Sequence, residues 1–205
     1  PIAKVADVDG IFAVRSSLPI KSMRELIAYV RANPGKLNYA SGGSGTSAHL
    51  GAELFKSMAG TFITHVPYRG SAAALTGFMQ GQIDMMFVER AAAQQHIQGG
   101  RLRVLATGMK QRSSALPDVP AVSETLPGFS LTIWFGLVAP PNTPAAVTGK
   151  LSTAVAEVMK SPDMVSTLHG LGIVPVGGSP QEFQRFAEEE VQRWGKVIRD
   201  AKIAV

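Results

Sequence analysis

From Val8 to Ala106, short apolar runs alternate with stretches of helical periodicity, and Gly, Pro or Asn punctuates nearly every join. Such βαβα alternation with short loops leaves few architectures open, because each helix must return the chain to the same sheet. The runs Val8–Arg15, Leu37–Ala40, Phe62–Val66, Ile83–Phe87 and Leu102–Ala106 read as strands. Between them, Ser22–Ala32, His49–Ala59, Ser71–Gln80 and Ala91–Gln98 read as helices. The first helix is the clearest: Met23, Leu26, Ile27 and Val30 recur at helical steps, Ser22 stands as N-cap with Glu25 in the capping-box position, and Asn33-Pro34-Gly35 ends it. The expectation is an α/β lobe with a mostly parallel, doubly wound sheet.

Beyond Gln111 the pattern changes. Residues 112–129 hold several prolines and little periodicity, and read as a long irregular connection. Ser130–Ala139 is an almost wholly apolar strand, followed by helices at Ala145–Met159, Pro162–Leu168 and Pro180–Ala201. This last third supplies one or two strands, to which residues 1–8 add another. Two lobes are therefore expected. Residues 10–125 form a complete α/β lobe, and 1–9 with 126–205 supply hinge strands and the C-terminal part of the other lobe. That second lobe looks half-built. The chain reads as a fragment or processed product that opens on Pro1 without Met or an apolar leader. An unfinished sheet exposes an edge, which leaves room for an oligomer through strand or segment exchange.

Composition narrows the function classes. The 45% hydrophobic and 17% charged content is that of a globular protein. No apolar run is long enough to span a membrane. The absence of Cys excludes thiolate metal sites, disulfides and cysteine nucleophiles. Twenty Lys+Arg against fifteen Asp+Glu give a net charge of +5, but the basic residues are scattered. Nucleic-acid binders cluster them, so nucleic acid is not an expected partner and a weak preference for anions is.

Two strand-to-helix joins carry the chemistry. In YASGGSGTSAHL, residues 39–50, glycines and hydroxyl side chains lead into a helix start. Glycine lets the backbone approach a ligand, first-turn N–H groups lack intrahelical partners, and the helix dipole favours an anion there. In VPYRGSAAA, residues 66–74, Gly70 and Ser71 repeat the design, with Arg69 beside them. On neighbouring parallel strands both joins would share the carboxyl edge, where open α/β sheets bind ligands. Neither join is a Walker A loop or a nucleophile elbow. A hydrolase using Ser44 or Ser47 with His49 as base is the enzyme alternative. Glu89-Arg90, at another strand end, lies near the same edge. His49, His65, His96 and His169 show no metal-ligand spacing and read as packing or surface residues, while Trp134 and Phe135 read as core. No metal, cofactor or catalytic residue is expected.

The stretches LPIKSMRELIAYVRANPGKLNYASGGSGTSAHLGAELFKSMAG, THVPYRGSAAALTGFMQGQIDMMF, ALPDVPAVSETLPGF, IWFGLVAPPNTP and SPQEFQRFAEEEVQRWGKVIRDA resemble, in order and over essentially the whole chain, the substrate-binding receptors of tripartite tricarboxylate transporters, the Bug type. The resemblance implies a periplasmic-binding-protein-like, type II, two-lobe Venus flytrap whose first lobe lacks its N-terminal part. It implies a periplasmic, non-enzymatic receptor for a small carboxylate (a di- or tricarboxylate, an acidic amino acid or an aromatic acid) that docks on membrane transport subunits, with a sensing role toward a membrane signalling partner as the alternative. Carried over by motif, the ligand residues are Ser41, Gly43, Thr46 and Ser47 in the first join and Tyr68, Gly70 and Ser71 in the second. Glu89 joins them where the family commonly has an Asp-Asn-like pair; an acid there repels an anion, with Arg90 to offset it. The strand and loop that hold the ligand's other face in the family would lie upstream of Pro1, so weak binding is expected of a chain starting there. Closure is expected to bend at 5–9 and 129–134.

Overall fold

The structure, a computed structural model, describes residues 1–113 and 116–203; Ser114 and Ala115 of the expected irregular connection lie outside the described residues. The chain divides into two compact units, one of residues 1–9 and 132–196, the other of 10–131 and 197–205.

The larger unit is built on a five-stranded sheet. Its strands are β2 (Gly10–Arg15), β3 (Asn38–Ser41), β4 (Thr64–Pro67), β5 (Met85–Glu89) and β6 (Leu102–Thr107), in the order β4-β3-β5-β2-β6. β3 runs parallel to both β4 and β5, whereas β2 is antiparallel to β5 and β6. The expected mostly parallel sheet is thus corrected at one strand: β2 lies reversed between β5 and β6. The expected strand Val8–Arg15 starts two residues later, at Gly10. β1 (Ala3–Val8) belongs to the other unit's sheet, and the break falls at Asp9, where the chain leaves one unit for the other.

Alternation along β2 explains how that sheet is covered on both faces. Ile11 and Ala13 face a core shared with Ala40, Met86 and Val88, on which α3 (Ser71–Met79) places Phe78 and α4 (Arg90–Gln98) places Ala93. Phe12, on the opposite face, meets Phe55 of α2 (Ser47–Ala59), Phe87 and Phe129, with ring centroids 5.2–5.7 Å apart. Burying one such ring stabilises the fold by about 1.5–3 kcal/mol, so the cluster firmly fixes α2 on β3 and β5. α1 (Met23–Ala32) forms as expected: the Ser22 hydroxyl accepts from Glu25 N at 3.2 Å, and Glu25 reaches back to Lys21 N at 2.7 Å. Among the described residues of 102–131, those outside β6 and one turn of 3-10 helix at Val122–Glu124 are irregular.

The smaller unit has a three-stranded antiparallel sheet, β7-β1-β8, with β7 at Ile133–Leu137 and β8 at Ile173–Pro175. α5 (Ala145–Lys160), α6 (Pro162–Gly170) and most of α7 (Pro180–Asp200) belong to it. Trp134 packs edge-on against Phe183 and Phe186 and donates its ring N–H to Glu190. Phe135, one residue along, points to the other face and is 57% exposed, so the expectation of a core residue fails there. Among the described residues no helix is long and apolar enough to cross a membrane, and no metal-ligating cluster of three or more gathers.

Candidate functional site

Parallel pairing of β3 with β4 brings the two glycine-bearing joins to one rim, because Ser41 stands opposite Pro67 at the strands' carboxyl ends. The ladder continues past the strands: Tyr68 N donates to Ser41 O at 2.9 Å and Gly70 N donates to Gly42 O at 3.0 Å. A Cβ on Gly42 would stand 2.9 Å from Ser71 N, so only a glycine lets the turns approach this closely. Gly43 and Gly70 take φ of +133° and +103°, which L side chains rarely adopt. The joins are one composite turn.

Both helices leave that turn uncapped. Thr46 and Gly70 occupy the N-cap positions of α2 and α3, neither provides a side-chain cap bond, and neither helix has an acid in its first turn. By geometry the first-turn amides of residues 47–49 and 71–73 have no partner within their helices. Ser47, Ser71, Ala72 and Ala73 line the outer side of these helix starts, and all four are exposed. This arrangement concentrates N–H donors and two positive dipole ends on one rim.

The hydroxyls divide into two groups. Ser41 is fully buried; its Oγ lies 3.0 Å from Gly43 O, accepts from Gly43 N at 3.2 Å and lies 2.6 Å from His65 Nε2. Thr46 Oγ1 donates to Gly43 O at 2.8 Å. These two candidates therefore shape the first turn from inside, while Ser47 and Ser71 remain outward. Tyr68 places its hydroxyl on Gln82 at 3.2 Å and its ring against Gly77, so its backbone rather than its phenol belongs to the turn. Arg69 is adjacent to Gly70 and exposed. Glu89 ends β5, which runs parallel to β3, and so stands on the same rim as the N-cap of α4; the next residue, Arg90, is buried and donates to Gln94 at 3.2 Å.

Behind the first turn lies a ring stack that the sequence does not announce. His49 and His65 stack at 4.0 Å and 16°, and Tyr39 stacks on His65 at 4.7 Å. The spacing rule for metals passes over both histidines, although Tyr39↔His65 is a register pair of β3 and β4, and His49 follows Gly45 by one helical turn. Gly45 N donates to His49 Nδ1 at 3.1 Å. Glu53 accepts from Tyr39 Oη at 2.6 Å and from Lys56, and lies 4.0 Å from His49 Nε2. Burial, and then the neighbouring His49, hold the His65 imidazole down to about 4, and burial lowers His49 too. Burial and the Glu53 carboxylate push the Tyr39 phenol up, so it stays protonated. The hydrolase alternative finds no support here: His49 faces a backbone amide, and Ser41, the serine that does meet a histidine, is sealed from solvent.

Comparison with known proteins gives this rim its context. A UPF0065 protein of Bordetella pertussis is 36% identical over 201 residues, 98% of this chain and 62% of the relative. The chain spans about three fifths of the length of this relative and of a second, 34% identical UPF0065 protein of Pseudomonas sp.. Among solved structures, that of R. palustris Rpa4515 with adipate superposes with a TM-score of 0.92 at 36% identity, covering 100% of this chain and 69% of that one. MatC from Rhodopseudomonas palustris with bound malate gives 0.83 at 28%, covering 97% and 69%. The fold shared with these neighbours is that of periplasmic binding proteins. Members of the matching family are solute-binding receptors, not enzymes. Residues 1–203 match the tripartite tricarboxylate transporter family receptor, and the chain belongs to that family.

Proposed function

We propose that this chain is the ligand-holding portion of a periplasmic receptor that captures a small carboxylate and delivers it to the membrane subunits of a tripartite tricarboxylate transporter. The observation that carries the reading is the Gly70 N–H to Gly42 O bond, which ties two uncapped helix starts together on one rim. A carboxylate seated there accepts from first-turn amides of α2 and α3, with the Ser47 and Ser71 hydroxyls as adjustable donors. Ser41 and Thr46 hold the seat's shape, and Glu89 disfavours further negative charge at its end of the rim. Two relatives of known structure are described with adipate and malate, both dicarboxylates. The net charge of +5 adds weak long-range attraction. The chain crosses between the two units at 9–10, 131–132 and 196–197, where any hinge motion of a binding receptor would bend.

The test is an amide-resolved NMR titration of the 205-residue chain with adipate and with malate, using adipamide as the uncharged control. Adipate or malate moves the amides of residues 47–49 and 71–73 while adipamide leaves them in place. Equal responses to adipate and adipamide, or responses confined to other residues, overturn the reading.

A further inference from the structure

The stacked histidines make contacts that ordinary packing does not require. His49 is 6% exposed, and its Nδ1 is an acceptor, which places the proton of the neutral ring on Nε2, toward Glu53. His65 bonds Ser41, whose hydroxyl in turn meets both N and O of Gly43. The two rings therefore grip the first turn at Gly45 and, through Ser41, at Gly43. Both are positions of positive φ, Gly45 at +77°, where the backbone has no side chain of its own to hold it. The groups that face the rings are Tyr39 from β3, Glu53 and Lys56 from α2, and each ring against the other.

We infer that His49 and His65 are positioning residues, a two-ring latch that sets the glycine turn in the shape presenting the α2 amides to the ligand. The inference rests on the carboxylate-receptor reading for its purpose, though the latch itself is a property of the turn. A proton on Nδ1 of His49 removes the acceptor for Gly45, so the latch needs that ring neutral. Burial keeps it so, against the opposing pull of the Glu53 carboxylate and with the Lys56 ammonium on the same side. Glu53, held by Tyr39 and Lys56, orients the Nε2–H edge.

Isosteric replacement separates this role from packing. Asn at 49 offers an oxygen where Nδ1 stood, whereas Leu fills the space and accepts nothing. Gly45 amide exchange and adipate affinity are measured in the wild type, His49→Leu and His49→Asn. The expected result is faster Gly45 exchange and at least about ten-fold weaker adipate binding in His49→Leu, the worth of one buried hydrogen bond, with both largely restored in His49→Asn. Should His49→Leu not fold, the 15N–15N coupling across the Gly45–His49 hydrogen bond in the wild type answers instead. Its absence overturns the latch, and its presence with the Asn rescue supports it. Unchanged Gly45 exchange in a folded His49→Leu, or unchanged adipate affinity, overturns it and leaves the receptor reading standing. Latch behaviour in a chain that binds neither adipate nor malate sinks the receptor reading and leaves the latch.

Discussion

The two halves of the composite turn reach the same end by different means. The turn before α2 is netted from within: Ser41, Thr46 and His49 each bond its backbone, and Ser41 is sealed by the ring stack. Among the described residues the turn before α3 shows no such net: it has Gly70 at positive φ and two backbone bonds to Ser41 and Gly42. The difference teaches where shape resides. The first turn holds itself, and the second borrows its position from the first through Gly42.

The sharpest way to break that dependence is Gly42→Ala. Its Cβ would stand 2.9 Å from Ser71 N and 3.1 Å from the Gly70 carbonyl carbon, both backbone atoms that cannot swing aside. Forced separation of this kind costs about 1–3 kcal/mol. The expected outcome is a lowered unfolding midpoint together with the largest loss of carboxylate binding of any single change on the rim. A variant that keeps both would show that the turns do not depend on one another.

That dependence is partly legible in the sequence, because consecutive βα units with short loops put neighbouring strand ends on one edge. Capping of α1 is legible too, since Ser22 and Glu25 act locally. What stays hidden is non-local. No periodicity distinguishes a reversed β2 from a parallel one. Ser41 and Thr46 resemble ligand donors because hydroxyls in a glycine loop carry no label for the side on which they are spent. The histidines escape a spacing rule because their partners are a backbone amide four residues back and a serine on the neighbouring strand. Phe135 reads as core because an apolar strand does not say which face is covered; in this structure Trp134 takes the packed side of β7.

A smaller effect sharpens the comparison through pH. An unfolded histidine titrates near 6.5, as a general reference value, whereas burial and then His49 hold His65 in the folded chain down to about 4. Between those values the unfolded chain binds a proton that the folded chain refuses. The contribution to stability is therefore complete above the unfolded value and lost as pH falls through the window. The ligand-free unfolding midpoint should decline across this interval, and His65→Gln, which keeps a polar group but does not titrate, should flatten the decline. Amides of residues 43–47 in the folded chain should shift only as pH falls through about 4, where His65 takes its proton, while those of 71–73, whose turn has no such group, should not. Equal movement in both turns would erase the distinction between them.

The smallest effect on the fold belongs to Ser71→Ala. The Ser71 side chain is exposed and makes no cap bond to its helix, so its removal should change stability by no more than about 0.5 kcal/mol. Its first-turn position nevertheless places that hydroxyl where a carboxylate on the α3 amides would meet it. A hydrogen bond to a charged group contributes roughly 1.5–3 kcal/mol, and a contact shared with water on an open rim falls toward the lower end. An affinity loss of about ten-fold at an unchanged unfolding midpoint is the expected pair of results. The same change made at Ser41 should do the reverse, lowering the midpoint first, because that hydroxyl serves the turn and not the guest. If the two serines respond alike in both measurements, the division between the netted turn and the open one is wrong.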